Sequence, residues 1–572
     1  MKLILADYIS SLKEDRELDL LATNLLRELD IIPLTTPQKG RQFGVDIAAV
    51  GPDPDSDQGE TLFLIAVKQG NITRSNWSTE KTGVRATLED IKDVYLNTSI
   101  PDQFKNTPKK IIVLSNGYIE QNVNINWVNY TNANTNAGII YEYWGIDKLV
   151  SLAEKTQFSE TLFPDEVRSL LRKSLALLDL PEYDYRHFYQ LLDKIFLVEA
   201  EISKKETIKK IRLINSCLAI VYNWAVGYNN CKPPVIISER VIITSWNWIQ
   251  HTPFDKDVEV IQEFLAIVKN KSAIDYSYFV KIKDALLVED GLSHTGHMDH
   301  IEYCLLTFEQ IGFISIMGLS KLWFTEVGMY QKDELFELSK GQFAEAEVIA
   351  DYLCKLIDNN PSSLYPKFDE HCIEINLALI LLYETGRFET AVRWLGGLVN
   401  YLSLNYSLYG FFPLWITDYE KLIPLNHTKD KEEPDSSILA VVLAEWCLIF
   451  KQDAMYHNLR YIITDLIKKV NLQLWKPDKE TEQLFYSQNA MYDSGESKVS
   501  IKLYKNYREY LMEMTEEREL WTDEFKMSCI KNGMLFIGYM AFRHYRTYVF
   551  PSLWRRFLNS PFCFNPKIEP EI

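Results

Sequence analysis

Asp46 and Lys68 are the two residues of this 572-residue chain whose types and spacing could do chemistry together. Asp46 stands two residues after Gly44, at the head of an apolar run with strand character, VDIAAVG. Lys68 closes a second run, LFLIAVKQG. Residues 51–60 between them are all Gly, Pro, Asp, Ser, Gln or Glu, which is turn chemistry. Paired as a hairpin, the two runs would bring the carboxylate and the ammonium together at one end of a sheet. Leu64, Ala66 and Lys68 would share a face, because strand residues two apart point the same way. A carboxylate there can hold a divalent cation, and an ammonium can stabilise an attacking hydroxide or the charge gathering on a phosphate. Phosphodiester cleavage needs that positive charge, since its transition state collects negative charge on the phosphoryl oxygens.

With Gly44-Val45-Asp46-Ile47, Lys68 and a preceding helix expected over residues 12–30, the region of roughly residues 1–155 resembles the PD-(D/E)XK nuclease superfamily, in particular its Mrr-like branch. The resemblance implies a Mg²⁺- or Mn²⁺-dependent endonuclease, with DNA favoured as substrate and RNA possible. It implies Asp46, the backbone carbonyl of Val67 and a helix acid as metal ligands, and Lys68 as the catalytic cation. The sequence departs from the family in one place: the middle acid or amide falls on Ala66, which cannot hold a metal. Gln69 is adjacent, but on the opposite face of an ideal strand. Members of the superfamily can recruit the missing carboxylate from the first helix. Glu17 and Glu28, three α-turns apart beside the stripe Leu18, Ala22, Leu25, Leu29, are the candidates. Glu17 is preferred, because it precedes the leucine run as the family's helix acid does.

The elements that must position these residues read as an α/β domain. GNITRSNWSTEKTG follows Lys68 as a polar stretch carrying Arg74 and Trp77. Residues 84–95 then have helical spacing with Arg85 and Lys92 exposed. Arg74, Trp77 and Arg85 are candidate substrate contacts; the alternative for the first two is a solvated loop with one packed Trp. KIIVLS from Lys110 and AGIIYEY from Ala137 read as buried strands, and a helix follows from near Asp147. That order of helices and strands is the order of a restriction-endonuclease-like fold.

Beyond about residue 160 apolar residues recur at three- and four-residue spacing, so the rest is expected to be predominantly α-helical. VIISERVIITS (235–245) is a strand-like exception. GQFAEAEVIADYLCKLI and GRFETAVRWLGGLVNYL repeat Gly, Phe and Ala as Gly341, Phe343, Ala346 and Gly386, Phe388, Ala391. This resembles the second helix of a tetratricopeptide-type repeat, although the 45-residue offset exceeds the usual ~34. The expected division is 1–157 nuclease-like, 158–330 helical, and 331–572 a TPR-like array with C-terminal capping helices. A nuclease joined to a helical sensor is similar in layout to prokaryotic antiphage defence effectors, and the helical part would bind a protein partner or a second copy of the chain. The competing reading, prompted by Ala66, is a catalytically degenerate nuclease fold serving as a DNA- or protein-binding scaffold.

Three further constellations have chemical alternatives. His294, His297 and His300 with Cys304 could bind zinc, or could simply be polar residues at a helix start. Arg543, Arg546, Arg555 and Arg556 interleave with aromatic residues and could grip nucleic acid, or could pair with acids on a capping helix. The run Trp394–Ile416 is the nearest thing to a membrane span, but Asn400, Ser403, Asn405, Ser407 and Pro413 interrupt it, so a buried helix plus a turn is expected instead. The net charge of −18 excludes a surface coated by nucleic acid and leaves room for a local groove only. Eight unpaired-looking cysteines and the absence of a cleavable leader point to a cytoplasmic protein. No phosphate-cradling Gly-x-x-x-x-Gly-Lys-Ser/Thr motif occurs, so no ATPase motor is expected.

Overall fold

The computed structural model describes residues 2–34, 43–55, 59–80, 82–155, 165–180, 183–197, 202–295, 299–328, 333–415, 419, 422, 434–477, 482, 486, 496–499, 501–520, 526–550 and 552–559. The chain is about 67% helical with a small mixed five-stranded sheet near its N-terminus. It divides into two compact units, 1–237 with 252–270, and 238–251 with 271–572. Helices beyond the α/β part pack back onto it, so the first compact unit includes them.

In the first unit α1 (Lys2–Ser10) leads into a single π-helical turn (Glu14–Leu18) and α2 (Asp19–Glu28). The expected single helix over 12–30 is thus broken by a wide turn. Strands β1 (Ile32–Pro33), β2 (Ile47–Pro52) and β3 (Glu60–Lys68) follow, then α3 (Arg74–Ser78) and α4 (Val84–Asp90). A second π-turn (Ile91–Tyr95) runs into the short α5 (Leu96–Thr98). Next come β4 (Lys109–Ser115), α6 (Gln121–Asn134), β5 (Ile139–Trp144) and α7 (Ile146–Lys155). The strand order is β1-β2-β3-β4-β5. β2 and β3 pair antiparallel with Ile47 opposite Ile65, as the intervening turn chemistry requires, and β3, β4 and β5 run parallel.

β3 is buried on both faces from Leu62 to Val67, which is why its sequence reads as a continuous apolar run rather than an alternating one. On one face Leu62, Leu64 and Ala66 join Ile111, Val113, Trp77, Val84, Leu88 and Val123 in one apolar cluster. Toward the other end of the sheet Lys110 is buried between Asp53 (2.8 Å) and Glu142 (2.9 Å), so its charge is balanced locally. The unit continues through α8 (Asp165–Leu177), α9 (Arg186–Ile195) and α10 (Lys204–Gly227), and α1 packs on α10.

α11 (Lys232–Gln250) corrects the strand-like reading of residues 235–245. Val235, Ile237 and Val241–Ile243 are all buried, so the segment lacks the polar face that would have marked its period. Pro233 and Pro234 lie in the first turn, where a missing N–H costs nothing.

α12 (Val258–Leu286) belongs to the first unit up to Asn270 and to the second from Lys271, and the second unit is further built on α13 (His300–Gly328), α14 (Asp333–Asn359), α15 (Cys372–Glu384) and α16 (Phe388–Tyr409), with shorter helices beyond. Its predominantly helical character holds, with one addition: a small sheet of Ser436–Ser437, Asn471–Lys476 and Glu496–Val499. Asn471–Lys476 alternates half-buried and buried residues, a two-residue period short enough to pass unnoticed among helices.

The two members of the Gly-Phe-Ala repeat are not equivalent. Gly386 takes a positive φ (+73°) in the turn between α15 and α16, whereas Gly341 lies inside α14. Only Ala346 and Ala391 share a role, both fully buried. α16 buries Trp394, Leu395, Leu398, Val399 and Leu402 and ends at Gly410 in the left-handed conformation, so the apolar stretch is core helix plus turn. One described helix, over residues His300–Leu322, is long and apolar enough to cross a membrane, and 72% of that window is buried within the protein. The described cysteines are free thiols, all buried except the half-buried Cys354.

The four C-terminal arginines are each committed to carboxylates. Arg543 pairs with Glu239, Arg546 with Glu370 and Glu374, Arg555 with Glu445 and Glu517, and Arg556 with Glu384. They are structural, and Arg543 and Arg555 are buried.

Candidate active site

The site grows from the backbone before Asp46. Phe43 and Gly44 both have positive φ (+47° and +81°), and a Cβ on Gly44 would come within 2.5 Å of the Thr87 carbonyl oxygen on α4. Only glycine tolerates both demands, so the Gly-x-Asp spacing is a turn requirement that presents Asp46 to the sheet. Gly44→Ala should lower stability by about 2 kcal/mol or more, read by urea unfolding, because strain and collision add.

At Asp46 the β2–β3 ladder has just begun: Asp46 N–H donates to Ile65 O (2.9 Å). Its carboxylate Oδ2 accepts from Val67 N–H at 2.7 Å. Burial raises the Asp46 carboxyl above the usual aspartate range; the Val67 N–H and the Lys68 charge oppose that, and Glu14 and Asp19 add to it. Two other carboxylates and one ammonium therefore act on Asp46. For Val67, the group joined to Asp46 is its amide N–H, not the carbonyl expected as a ligand.

Lys68 is half-buried, with Glu14 Oε1 3.8 Å from its Nζ. The other oxygen of Glu14 accepts from Gln69 N–H (3.1 Å). Glu14 is thus the acid that the π-turn delivers to the end of β3. Glu17, the expected helix acid, is engaged elsewhere: Lys209 on α10 donates to it at 2.5 Å, and it accepts from Lys13 N–H at 2.7 Å. The reason is the wide turn, which breaks the α-helical register from which Glu17 and Glu28 were placed on one face. The side chain of Glu28 lies outside what is described.

The remaining candidates separate. The Gln69 side chain donates to Leu12 O (3.3 Å), so it ties the strand end to the chain after α1 and does not stand beside Asp46 as a catalytic amide. Trp77 is buried, edge-on to Trp127 (6.4 Å) and Tyr130 (6.0 Å), and belongs to the core rather than to a stacking surface. Arg85 is exposed and paired with Glu89 one turn on (2.9 Å). Arg74 is exposed at the head of α3.

Asn116, just past β4, carries no weight in the sequence reading yet holds the site's geometry. Its amide donates to Ile9 O (3.1 Å), Ser10 O (3.2 Å) and Leu12 O (2.8 Å), carbonyls at and just beyond the end of α1, while its Oδ1 accepts from Gly70 N–H (2.6 Å). One buried side chain thereby fixes the approach to the Glu14 turn against the exit of β3. The only signal for it was the end of an apolar strand at Asn116-Gly117. Asn116→Ala should destabilise by about 2–3 kcal/mol, measured by thermal or urea unfolding, because several buried polar groups lose partners together.

The zinc candidates do not assemble. His294 is exposed in a short 3₁₀ turn, His297 lies outside the described residues, and only His300 and Cys304 approach each other (Nδ1–Sγ 4.0 Å). Among the described residues no group of three His, Cys, Asp or Glu side chains could hold a metal ion. At Asp46 the described surroundings suit a cation in charge: Asp46 and Glu14 with Asp19 nearby, against one described lysine. Asp46 and Glu14 are the described carboxylates on offer, fewer donors than a closed structural site uses. Comparison with protein-family models, with curated proteins and with solved structures returned no match.

Proposed function

We propose that the N-terminal part of the chain is a metal-dependent nuclease of restriction-endonuclease-like fold, with Asp46, Glu14 and Lys68 as its catalytic residues. The observation carrying this is that Glu14 reaches Lys68 beside Asp46 where β2 begins and β3 ends, so an acid from the first helical segment stands in for the one missing at Ala66. Asp46 and Glu14 would hold a Mg²⁺ or Mn²⁺ ion, which when bound supplies Lewis-acid polarisation of a phosphoryl oxygen and an activated water. Lys68, half-buried and therefore less screened than a surface lysine, stabilises negative charge on the phosphoryl oxygens. Asn116 and Gln69 hold the Glu14 turn against the strand end; they are positioning residues. Arg74, exposed on the segment after Lys68, is kept as a phosphate contact. DNA is the favoured substrate, the helical remainder is the regulatory or partner-binding part, and defence is the role that the layout suggests.

Ala66 favours a second reading. It is fully buried in the apolar cluster, so no rotation brings a ligand to that position, and a fold retained only for binding would tolerate this. Incubating the full chain with plasmid, linear DNA and RNA under Mg²⁺ or Mn²⁺ separates the two. Metal-dependent cutting supports the nuclease, and binding without cutting under every condition supports the scaffold. Among active-site variants, Glu14→Gln should lower cutting at least about a hundredfold and Glu17→Gln by less than about threefold, measured as initial rates. The opposite ranking would return the role to Glu17.

A further inference from the structure

Lys367, in the second unit, is a buried residue whose ammonium pairs with no carboxylate among the described residues. Its residue is 6% exposed, and its ammonium lies over the ring of Phe411, 5.7 Å from the centroid. Among the described residues no carboxylate pairs with it and no acceptor hydrogen-bonds it. Its backbone is fully used, the N–H donating to His371 Nδ1 (3.1 Å) and the carbonyl accepting from Leu414 N–H (3.0 Å), so the backbone at Lys367 is held in place. Phe411 packs on a small apolar cluster of Ile301, Phe368, Leu414 and Leu422, with Leu305. One residue before Ile301, His300 begins α13 and lies 5.5 Å from the ring of Tyr365.

Other buried cations of this unit illustrate the contrast. Lys271 is held by Asp275 (2.8 Å), and Arg543 and Arg555 each have carboxylates. An unpaired buried charge is expensive, and proteins that retain one give it a partner. We infer that Lys367, Phe411 and the apolar cluster around Ile301 and Phe368 form a binding site for a small-molecule carboxylate carried on an apolar or aromatic body. The carboxylate takes the ammonium, and the body lies against Phe411 and the cluster, the usual division of a small-ligand site into a few polar anchors and an apolar lining.

The surroundings select a single negative charge. Burial, with Cys304 and Asp299 opposing it, lowers the amine of Lys367 from its ordinary value, and a bound anion would raise it again. Burial and then the charge of Lys367 lower His300, so the imidazole is neutral and adds no second cation. Asp299 contributes a fixed negative charge, anchored by donors from Glu302 N–H (2.8 Å) and Tyr419 Oη (3.3 Å). A dianionic phosphate would meet one cation and that carboxylate. This inference does not rest on the nuclease reading.

The test uses the full chain with benzoate as probe, benzyl alcohol as its neutral counterpart and inorganic phosphate as the dianion, followed by ligand-observed NMR and thermal melting. Benzoate should bind and raise the Tm, with benzyl alcohol and phosphate at least about tenfold weaker. Lys367→Met should weaken benzoate by about tenfold or more while melting no lower than the wild type without ligand, because it removes an unpaired buried charge. Absence of benzoate binding at ~10 mM, equal binding of benzyl alcohol or phosphate, or undiminished binding by Lys367→Met would overturn the proposal. So would a Lys367→Met protein that melts several degrees lower, since the amine would then be a structural partner.

Discussion

Lys68→Ala and Asp46→Asn should each lower phosphodiester cleavage by about three orders of magnitude or more, some 4 kcal/mol of transition-state stabilisation. The two substitutions act differently. Lys68→Ala removes the one cation that acts on Asp46 among the described residues and leaves Glu14 without its lysine at 3.8 Å, so on the proposed mechanism charge on the phosphoryl oxygens would go uncompensated. Asp46→Asn keeps an oxygen that can accept from Val67 N–H, so the strand ends should stay in place while the charge that attracts a cation is lost. Unchanged circular dichroism melts with lost cutting would locate both effects in chemistry rather than folding. Cutting that persists in both variants would dismiss the site. Because burial raises the Asp46 carboxyl of the metal-free protein, it should titrate above the ordinary aspartate range when followed by NMR without divalent cation: the carboxylate form is lost as pH falls, and lost earlier than in an exposed aspartate.

Glu239→Gln should destabilise the second unit by about 3–5 kcal/mol, the usual consequence of removing one partner from a buried ion pair. Glu239 is 1% exposed, pairs with Arg543 and meets His544 Nδ1 (3.3 Å), with Lys271 at 4.0 Å. Burial pushes its carboxyl up, but Arg543, His544 and Lys271 together outweigh burial and hold it at about 2. The folded value lies below the unfolded one. The stabilisation is therefore fully present above the ordinary glutamate range near 4.5 and is lost as pH falls from there toward about 2. The pH-dependent part is on the order of 3 kcal/mol. Urea unfolding at pH 7 and pH 3 reads both effects: the difference between wild type and variant should shrink in acid. A gap that stays constant with pH would mean that the glutamate matters for shape rather than charge.

How much of this was legible follows from the range of the interactions. The strands of the first unit announce themselves because β3 is buried on both faces and its neighbours end at turn residues. The hairpin and the position of Asp46 and Lys68 at one sheet end follow from that patterning. Glu14 was hidden by a local irregularity: α-helical spacing was carried across a segment whose first turn is π-helical, and choosing between Glu14 and Glu17 depends on where α10 places Lys209, almost two hundred residues away. Asn116 was hidden for the same kind of reason, since its partners are more than a hundred residues upstream. Trp77 illustrates the opposite error, in which a residue type suited to stacking on substrate is consumed by Trp127 and Tyr130 in the core. Residues 235–245 misled because a helix buried on every side shows neither period. The arginines of the C-terminal segment gave no sign that acids as distant as Glu239 would claim them.

Binding of Mn²⁺ in the absence of nucleic acid, titrated by electron paramagnetic resonance, tests the joint assignment of Asp46 and Glu14 most directly. One ion per chain should bind the wild-type protein and Glu17→Gln alike, with affinity lowered at least about tenfold in Asp46→Asn and in Glu14→Gln. Equal Mn²⁺ affinity in the wild type and Asp46→Asn would contradict the account, because the carboxylate at the head of β2 would then hold no cation.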